Sequence, residues 1–290
     1  MFYFRLMVMA LRGLQTNLMR SLLATLGVII GVGAVISAMS ILAGAQRQIM
    51  ERTESMGADQ IMIVSGGGRH QSRQVTYDKL KPADAEAILE QCSLIQAVAP
   101  EIQLAAQIKY FHKNRRVTTL ATTEAYESIN DYEVVEGRFL TREDDRAERK
   151  VCVLGHKVAK ELFGEVSPIG FRVKIKGFGF TVIGVMEKKG FLGFREVDSQ
   201  VIIPLSTGMK RVFGVRFVTM ITAQCSDAAK QEAAIQQVLR TLRREHKIRA
   251  GDDDDFKVFT QEQIKETASD FTNIFRVVLY SIAGISLVVG

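Results

Sequence analysis

Cysteine is scarce: Cys92, Cys152 and Cys225 are the only three in 290 residues, too far apart for any CxxC motif. That spacing excludes the common zinc and dithiol sites, and an odd number cannot all pair internally. The cysteines are read as small buried apolar side chains, Cys152 within a core strand, with one bridge in an oxidising compartment as the alternative. Histidine is equally thin. His70, His112, His156 and His246 lie far apart and form no HExxH pair, and no Gly-x-Ser-x-Gly elbow occurs. Catalytic, cofactor-binding and metal-ligating residues are all expected to be absent.

Nucleotide and nucleic-acid signals are missing too. No Walker A sequence is present, and the Gly66-Gly67-Gly68 run is followed by no Lys-Ser or Lys-Thr, so it reads as a loop and any ATP must be handled elsewhere. The acidic run from Asp252 to Asp255 lacks the spaced ligands of a calcium loop and reads as a solvated turn beside the basic stretch 243–249. The net charge of +6 is spread among acidic residues through most of the chain, with no basic stripe or recognition helix. A nucleic-acid partner is not expected. Basic excess concentrates in one place: Arg5, Arg12 and Arg20 precede the first apolar run, and no acid occurs before Glu51. By the positive-inside rule this puts the N-terminus in the cytoplasm.

What the sequence does have is apolar ends. No charge falls between residues 21 and 46, which at about 1.5 Å per residue more than covers a hydrocarbon core about 30 Å thick. The run is too long for a signal-peptide core of about 7–15 residues. It is expected to be an uncleaved transmembrane helix, in which Gly27 and Gly31, in small-xxx-small spacing, let another helix approach. Residues 1–20 read as an amphipathic helix at the cytoplasmic face. At the other end, the apolar stretch within 274–290 is about 14 residues long, too short to cross by itself. It is expected to be the start of a second span that continues beyond residue 290.

Between these ends, residues 47–273 have the periodicity of a folded domain. Strands are expected at 60–64, 150–154, 172–176, 180–186, 199–204, 217–223 and 255–259, and helices at 82–91, 156–163 and 227–244. A hairpin of 103–111 and 116–121 would turn at Lys113-Asn114-Arg115, and another turn would lie at 177–179. A composition change near Gly137 opens a glycine-cornered region. The expected class is α+β: an extracytoplasmic domain whose discontinuous α/β subdomain (60–135 and 201–259) is interrupted by a small β-rich insert (136–200), flanked by transmembrane α-helices. From Thr260, with Gln263 at capping-box spacing, a helix is expected to run unbroken into the second span.

Residues 137–190, GRFLTREDDRAERKVCVLGHKVAKELFGEVSPIGFRVKIKGFGFTVIGVMEKKG, followed by VIIPLST at 201–207, resemble the periplasmic core domain of MacB/FtsX-type ABC transporter permeases. NLMRSLLATLGVIIGVGAVISAMSI at 17–41 and SIAGISLVVG at 281–290 resemble the first span and the start of the second in that family. The resemblance covers nearly the whole chain. It implies an inner-membrane permease with four spans, a dimer, an ABC ATPase subunit, and, as in the exporters, a periplasmic membrane-fusion (adaptor) protein docked on the outer domain. It also implies that the helical stalk couples ATP hydrolysis to motion outside, with the ATPase on a separate chain. The block around Gly155, Pro168 and Gly170 is most similar to the macrolide-exporter type, although Phe171 stands where many relatives carry a basic residue. Topology alone suits a second class equally well, a membrane-anchored extracytoplasmic sensor or receptor, which would continue into heptad-rich helices rather than further spans.

Overall fold

A computed structural model describes residues 18–54, 57–66, 80–193 and 195–289. The uncharged run becomes one helix, α1 (Leu18–Glu54), extended at both ends beyond the charge-free stretch. It is the one helix among the described residues long and apolar enough to cross a membrane. Leu22, Leu23, Ile29, Ile30, Ile36 and Ile41 all face outward, the surface expected of a helix solvated by lipid. Most of the amphipathic segment 1–20, the loop after Gly66 and His70 lie outside the described residues.

Residues 52–264 form one compact unit, and residues 1–51 with 265–290 form another. The first unit begins with β1 (Gln60–Ser65), α2 (Pro82–Gln91), β2 (Ile95–Tyr110), β3 (Lys113–Thr122), α3 (Ala125–Ile129), β4 (Val134–Gly137) and α4 (Arg142–Arg146). It continues with β5 (Val151–Leu154), α5 (His156–Phe163), β6 (Arg172–Ile175), β7 (Phe178–Met186), β8 (Phe191–Leu192), β9 (Arg195–Glu196) and β10 (Gln200–Pro204). After a helical turn and a π-helical stretch, Gly208–Phe213, come β11 (Met220–Cys225), α6 (Gln231–Glu245) and β12 (Phe256–Thr260), and then α7 (Gln261–Val289), of which only the first four residues belong to this unit.

Two substructures share the long strand β2. In the first, β12-β1-β11-β2 is a fully antiparallel sheet. In chain order along this half that is fourth-first-third-second, the split βαβ arrangement. Alternation explains β1, whose Ile61 and Ile63 are fully buried. Helical spacing explains α6, which buries Ala234, Ile235, Val238 and Leu242. α2 starts at Pro82, whose fixed φ suits a first turn, and Asp84 accepts a hydrogen bond from the Lys81 backbone N–H at 2.7 Å.

The second substructure is a closed ring. β2 pairs β3, β3 pairs β10, β10 pairs β5, β5 pairs β7, β7 pairs β6, and β6 returns to β2 through Ile108–Ile175 and Lys109–Lys174. Closure removes free edges around a small barrel. Ile108, Val117, Cys152, Val173, Phe180 and Ile203 are buried in one apolar cluster here. β4 extends the remaining edge of β7. A second cluster, centred on the fully buried Tyr126 and Tyr132, packs against Ile202 and Val153.

Pairing moves the boundary expected at residue 136. Residues 102–122 and 200–204 belong by hydrogen bonding to the barrel, so the insert begins inside β2 rather than after Gly137. The composition change marked a loop, and strand partnership is decided by residues distant in sequence. Both hairpin turns also shift towards the N-terminus. The first is the two-residue Phe111-His112 turn, with Phe111 at φ 49°, and Lys113-Asn114-Arg115 lie in β3. The second is Lys176-Gly177, at φ 48° and 90°, the positive values a two-residue hairpin turn demands. Polar strand ends read like turns because both face solvent.

Of the two ends, α7 carries Lys265, Glu266, Asp270 and Arg276 along its length.

Candidate functional site

The least expected feature of the domain is a buried charge at the point where its halves meet. Glu101 is the last β2 residue paired with β11, opposite Met220, and the next residue, Ile102, is already paired with β3. Its carboxylate is wholly buried. Oε2 accepts from Arg195 Nη1 at 2.5 Å, Oε1 accepts from Thr222 Oγ1 at 2.6 Å, and the Glu101 backbone carbonyl accepts from Thr219 N–H at 2.8 Å. Burial works against the charged guanidinium of Arg195, but the adjacent Glu101 outweighs it and raises the Arg195 pKa. The pair ties β2, β11 and the β8–β9 hairpin at one point.

That hairpin also meets the end of α1. Arg52 places its guanidinium 4.2 Å from the centre of the Phe191 ring, a cation–π contact. One residue on, the Thr53 carbonyl accepts from Gln261 Nε2, the first side chain of α7, at 2.8 Å. The β8–β9 hairpin thus meets the last turn of α1 through Phe191 and the buried Glu101 through Arg195, while the same turn of α1 holds the first side chain of α7. The chemistry of these contacts is suited to holding positions, not to proton transfer or nucleophilic attack.

A second polar centre clamps the helices of the split βαβ half. His246, just past α6, sits between Asp84 on α2 and Asp255 before β12, at 3.1 Å from Nε2 and 2.8 Å from Nδ1. The hydrogen bond to Asp84 raises the imidazole pKa, burial opposes it, and Asp255 adds to the rise, giving about 8. Since the folded value lies above the ordinary histidine value of 6.5, the stabilisation is complete below pH 6.5 and is lost as pH rises through 8. It is worth about 2 kcal/mol. Urea unfolding of the wild type and His246→Gln is expected to differ by about that much at pH 6 and to converge at pH 9.

Asp144 marks a third centre. Burial would raise its pKa, but Arg138 and Thr141 outweigh this and hold it at about 2. The acidic turn after α6 is paired, with Arg243 to Asp254, rather than merely solvated.

The residues singled out in the sequence are not brought together. Gly27 has open space where a Cβ would stand, and Gly31 is half-buried on the same helix. All three cysteines are buried and unpaired, and burial raises the Cys225 thiol to about 11. Among the described histidines only His246 joins a carboxylate pair, and both its nitrogens are used. Among the described residues no group of three His, Cys, Asp or Glu could hold a metal ion. Glu101 and Arg195 went unmarked in the sequence because each is an ordinary charged residue within a strand.

The model of the MacB-like periplasmic core domain matches residues 21–241. The macrolide export ATP-binding/permease protein MacB of Bdellovibrio bacteriovorus is 33% identical over 287 residues, which is 96% of this chain and 44% of that protein. The protein of the same description from Rhodospirillum rubrum is 35% identical over 291 residues, covering 97% and 43%. The chain spans less than half the length of these relatives. In fold, the crystal structure of the periplasmic region of MacB from Actinobacillus actinomycetemcomitans matches with a TM-score of 0.65 at 24% identity, over 77% of this chain and 98% of that one. The extracellular domain of the noncanonic ABC-type transporter YknZ from Gram-positive bacteria matches at 0.58 and 18% identity, over 69% and 100%.

Proposed function

The chain belongs to the MacB-like periplasmic core domain family, and from that premise we propose that it is the permease subunit of an ABC transporter of the MacB/FtsX type. In this reading a partner ATPase hydrolyses ATP in the cytoplasm and the periplasmic domain moves in response, for export or efflux. The observation that supports it most is continuity: Thr260 ends β12, Gln261 begins α7, and α7 runs unbroken to Val289. A flexible linker could not transmit a displacement. A helix can, and the Gln261–Thr53 bond ties its first turn to the last turn of α1.

The same reading makes the apolar part of α7 the start of a second span in the inner membrane. It makes the chain a homodimer and puts an adaptor protein on the outer domain, with ATP hydrolysis on the ATPase partner. Gly27 and Gly31 would face the helix of the second copy or a neighbouring span.

The test is reconstitution of the full-length chain in lipid with a candidate ABC ATPase partner. Complex formation and altered ATP turnover are expected. Absence of a complex in folded protein would favour a receptor instead. Because Gly27 has open space around it within the chain, Gly27→Leu/Gly31→Leu should fold its outer domain normally yet weaken dimer cross-linking and turnover. Unchanged cross-linking would remove the pair from the interface.

A further inference from the structure

The barrel carries a cationic recess at the end remote from the Glu101 seam. In the β2–β6 pair, Lys109 stands directly opposite Lys174, which brings two ammonium-bearing side chains to a Cβ separation of about 5 Å. Arg172, two residues before Lys174, shares its face of β6, and its guanidinium lies over Gly179, 3.4 Å from where a Cβ would stand. Like charges directly opposite destabilise a sheet unless something offsets them. Among the described residues, none of these three cations makes an ion pair. Their neighbours are committed: Arg115 pairs with Glu161, and Lys113 Nζ donates to the α5 carbonyls of Glu161 and Leu162 at 3.2 and 2.8 Å.

The three cations line an open recess of about 320 Å³ together with Tyr110 and Phe111. Tyr110 is held from behind by Phe163, ring centres 4.2 Å apart. Phe111, at the tip of the β2–β3 hairpin, is 76% exposed and meets Tyr110 edge-on. The three cations repel one another across this face. The arrangement becomes favourable when a multiply charged anion with an apolar body fills the recess.

We propose that this recess binds an amphiphile with a phosphomonoester headgroup, with the phosphate between Lys109, Lys174 and Arg172 and the apolar part across Phe111. A phosphate carries nearly two negative charges and three acceptor oxygens, matching three convergent donors better than one carboxylate does. The size of the recess fits one headgroup rather than an extended protein surface. The inference stands on this surface alone and does not depend on the transport reading.

The test uses the full chain in phosphatidylcholine nanodiscs, titrated with dihexanoyl phosphatidic acid, dihexanoyl phosphatidylcholine, inorganic pyrophosphate and polyglutamate. Phosphatidic acid is expected to bind, at least about tenfold tighter than phosphatidylcholine or pyrophosphate. Lys109→Gln/Lys174→Gln should weaken it at least about tenfold. The control Arg216→Gln/Lys257→Gln, which removes the same charge elsewhere, should not. The lysine variant should also melt no lower than the wild type, because it relieves a like-charge pair. Phosphatidic acid should raise the melting temperature of the wild type and the control but not of the lysine variant. Pyrophosphate binding as tightly as phosphatidic acid would replace the amphiphile by a free phosphate and overturn the proposal. So would polyglutamate binding in preference to both, equal loss in the control variant, or no binding at all.

Discussion

Arg195→Met is expected to destabilise the outer domain by about 3–5 kcal/mol, a large part of the roughly 5–15 kcal/mol by which folded proteins are stable. Methionine fills much of the volume and keeps the apolar stem, so the loss is chiefly electrostatic. It leaves the Glu101 carboxylate buried at the seam with Thr222 as its remaining side-chain partner. The double variant Glu101→Gln/Arg195→Met removes both charges and should recover most of the stability, since a buried pair replaced by neutral groups is often nearly neutral overall. Urea denaturation of the wild type, Glu101→Gln, Arg195→Met and the double variant gives the coupling energy. Additive losses would mean that the two side chains do not act as a unit.

Ala268→Pro should have the other large effect, on coupling rather than on the fold. Residue 268 lies inside α7, where its backbone N–H belongs to the helical ladder and its carbonyl also accepts from Thr272 Oγ1 at 2.9 Å. Proline removes the N–H, its ring collides with the carbonyl one turn earlier, and the helix kinks or breaks at a cost of about 3 kcal/mol. In the reading above the outer domain is moved through this helix. ATP turnover by the reconstituted complex should therefore persist while transport-linked motion falls. Ala268→Gly, at about 1 kcal/mol without a steric clash, should be much milder. Equal transport by the wild type and the proline variant would separate α7 from the mechanism.

Local features were legible from the chain, and their partners were not. The helix 82–91 follows from Pro82 at its start and the spacing of Ala85 and Ile88, both buried against the sheet. The helix 156–163 follows from Val158, Ala159, Leu162 and Phe163 on one face. Thr260 caps α7 as its spacing with Gln263 suggested, accepting from the Gln263 N–H at 3.2 Å. By contrast, Glu101 and Arg195 are 94 residues apart, and His246 and Asp84 162 apart. Nothing in either neighbourhood marks a charge that will be buried. The barrel is hidden for the same reason: β6 closes it on β2 through residue pairs that look like ordinary strand alternation. The loop at Gly137 was visible, but it is not where the hydrogen bonding divides the domain.

The most direct measurement of coupling is a distance between the two copies of the domain during ATP hydrolysis. A spin label at Lys188→Cys, an exposed position in a domain whose native cysteines are all buried, would be read by pulsed dipolar spectroscopy. The complex with its ATPase would be compared in the ATP-bound and ADP-bound states. The distance distribution is expected to shift between the two states in the wild type and not in Ala268→Pro, although both hydrolyse ATP. An identical distribution in both states of the wild type, or the same shift in the proline variant, would contradict it.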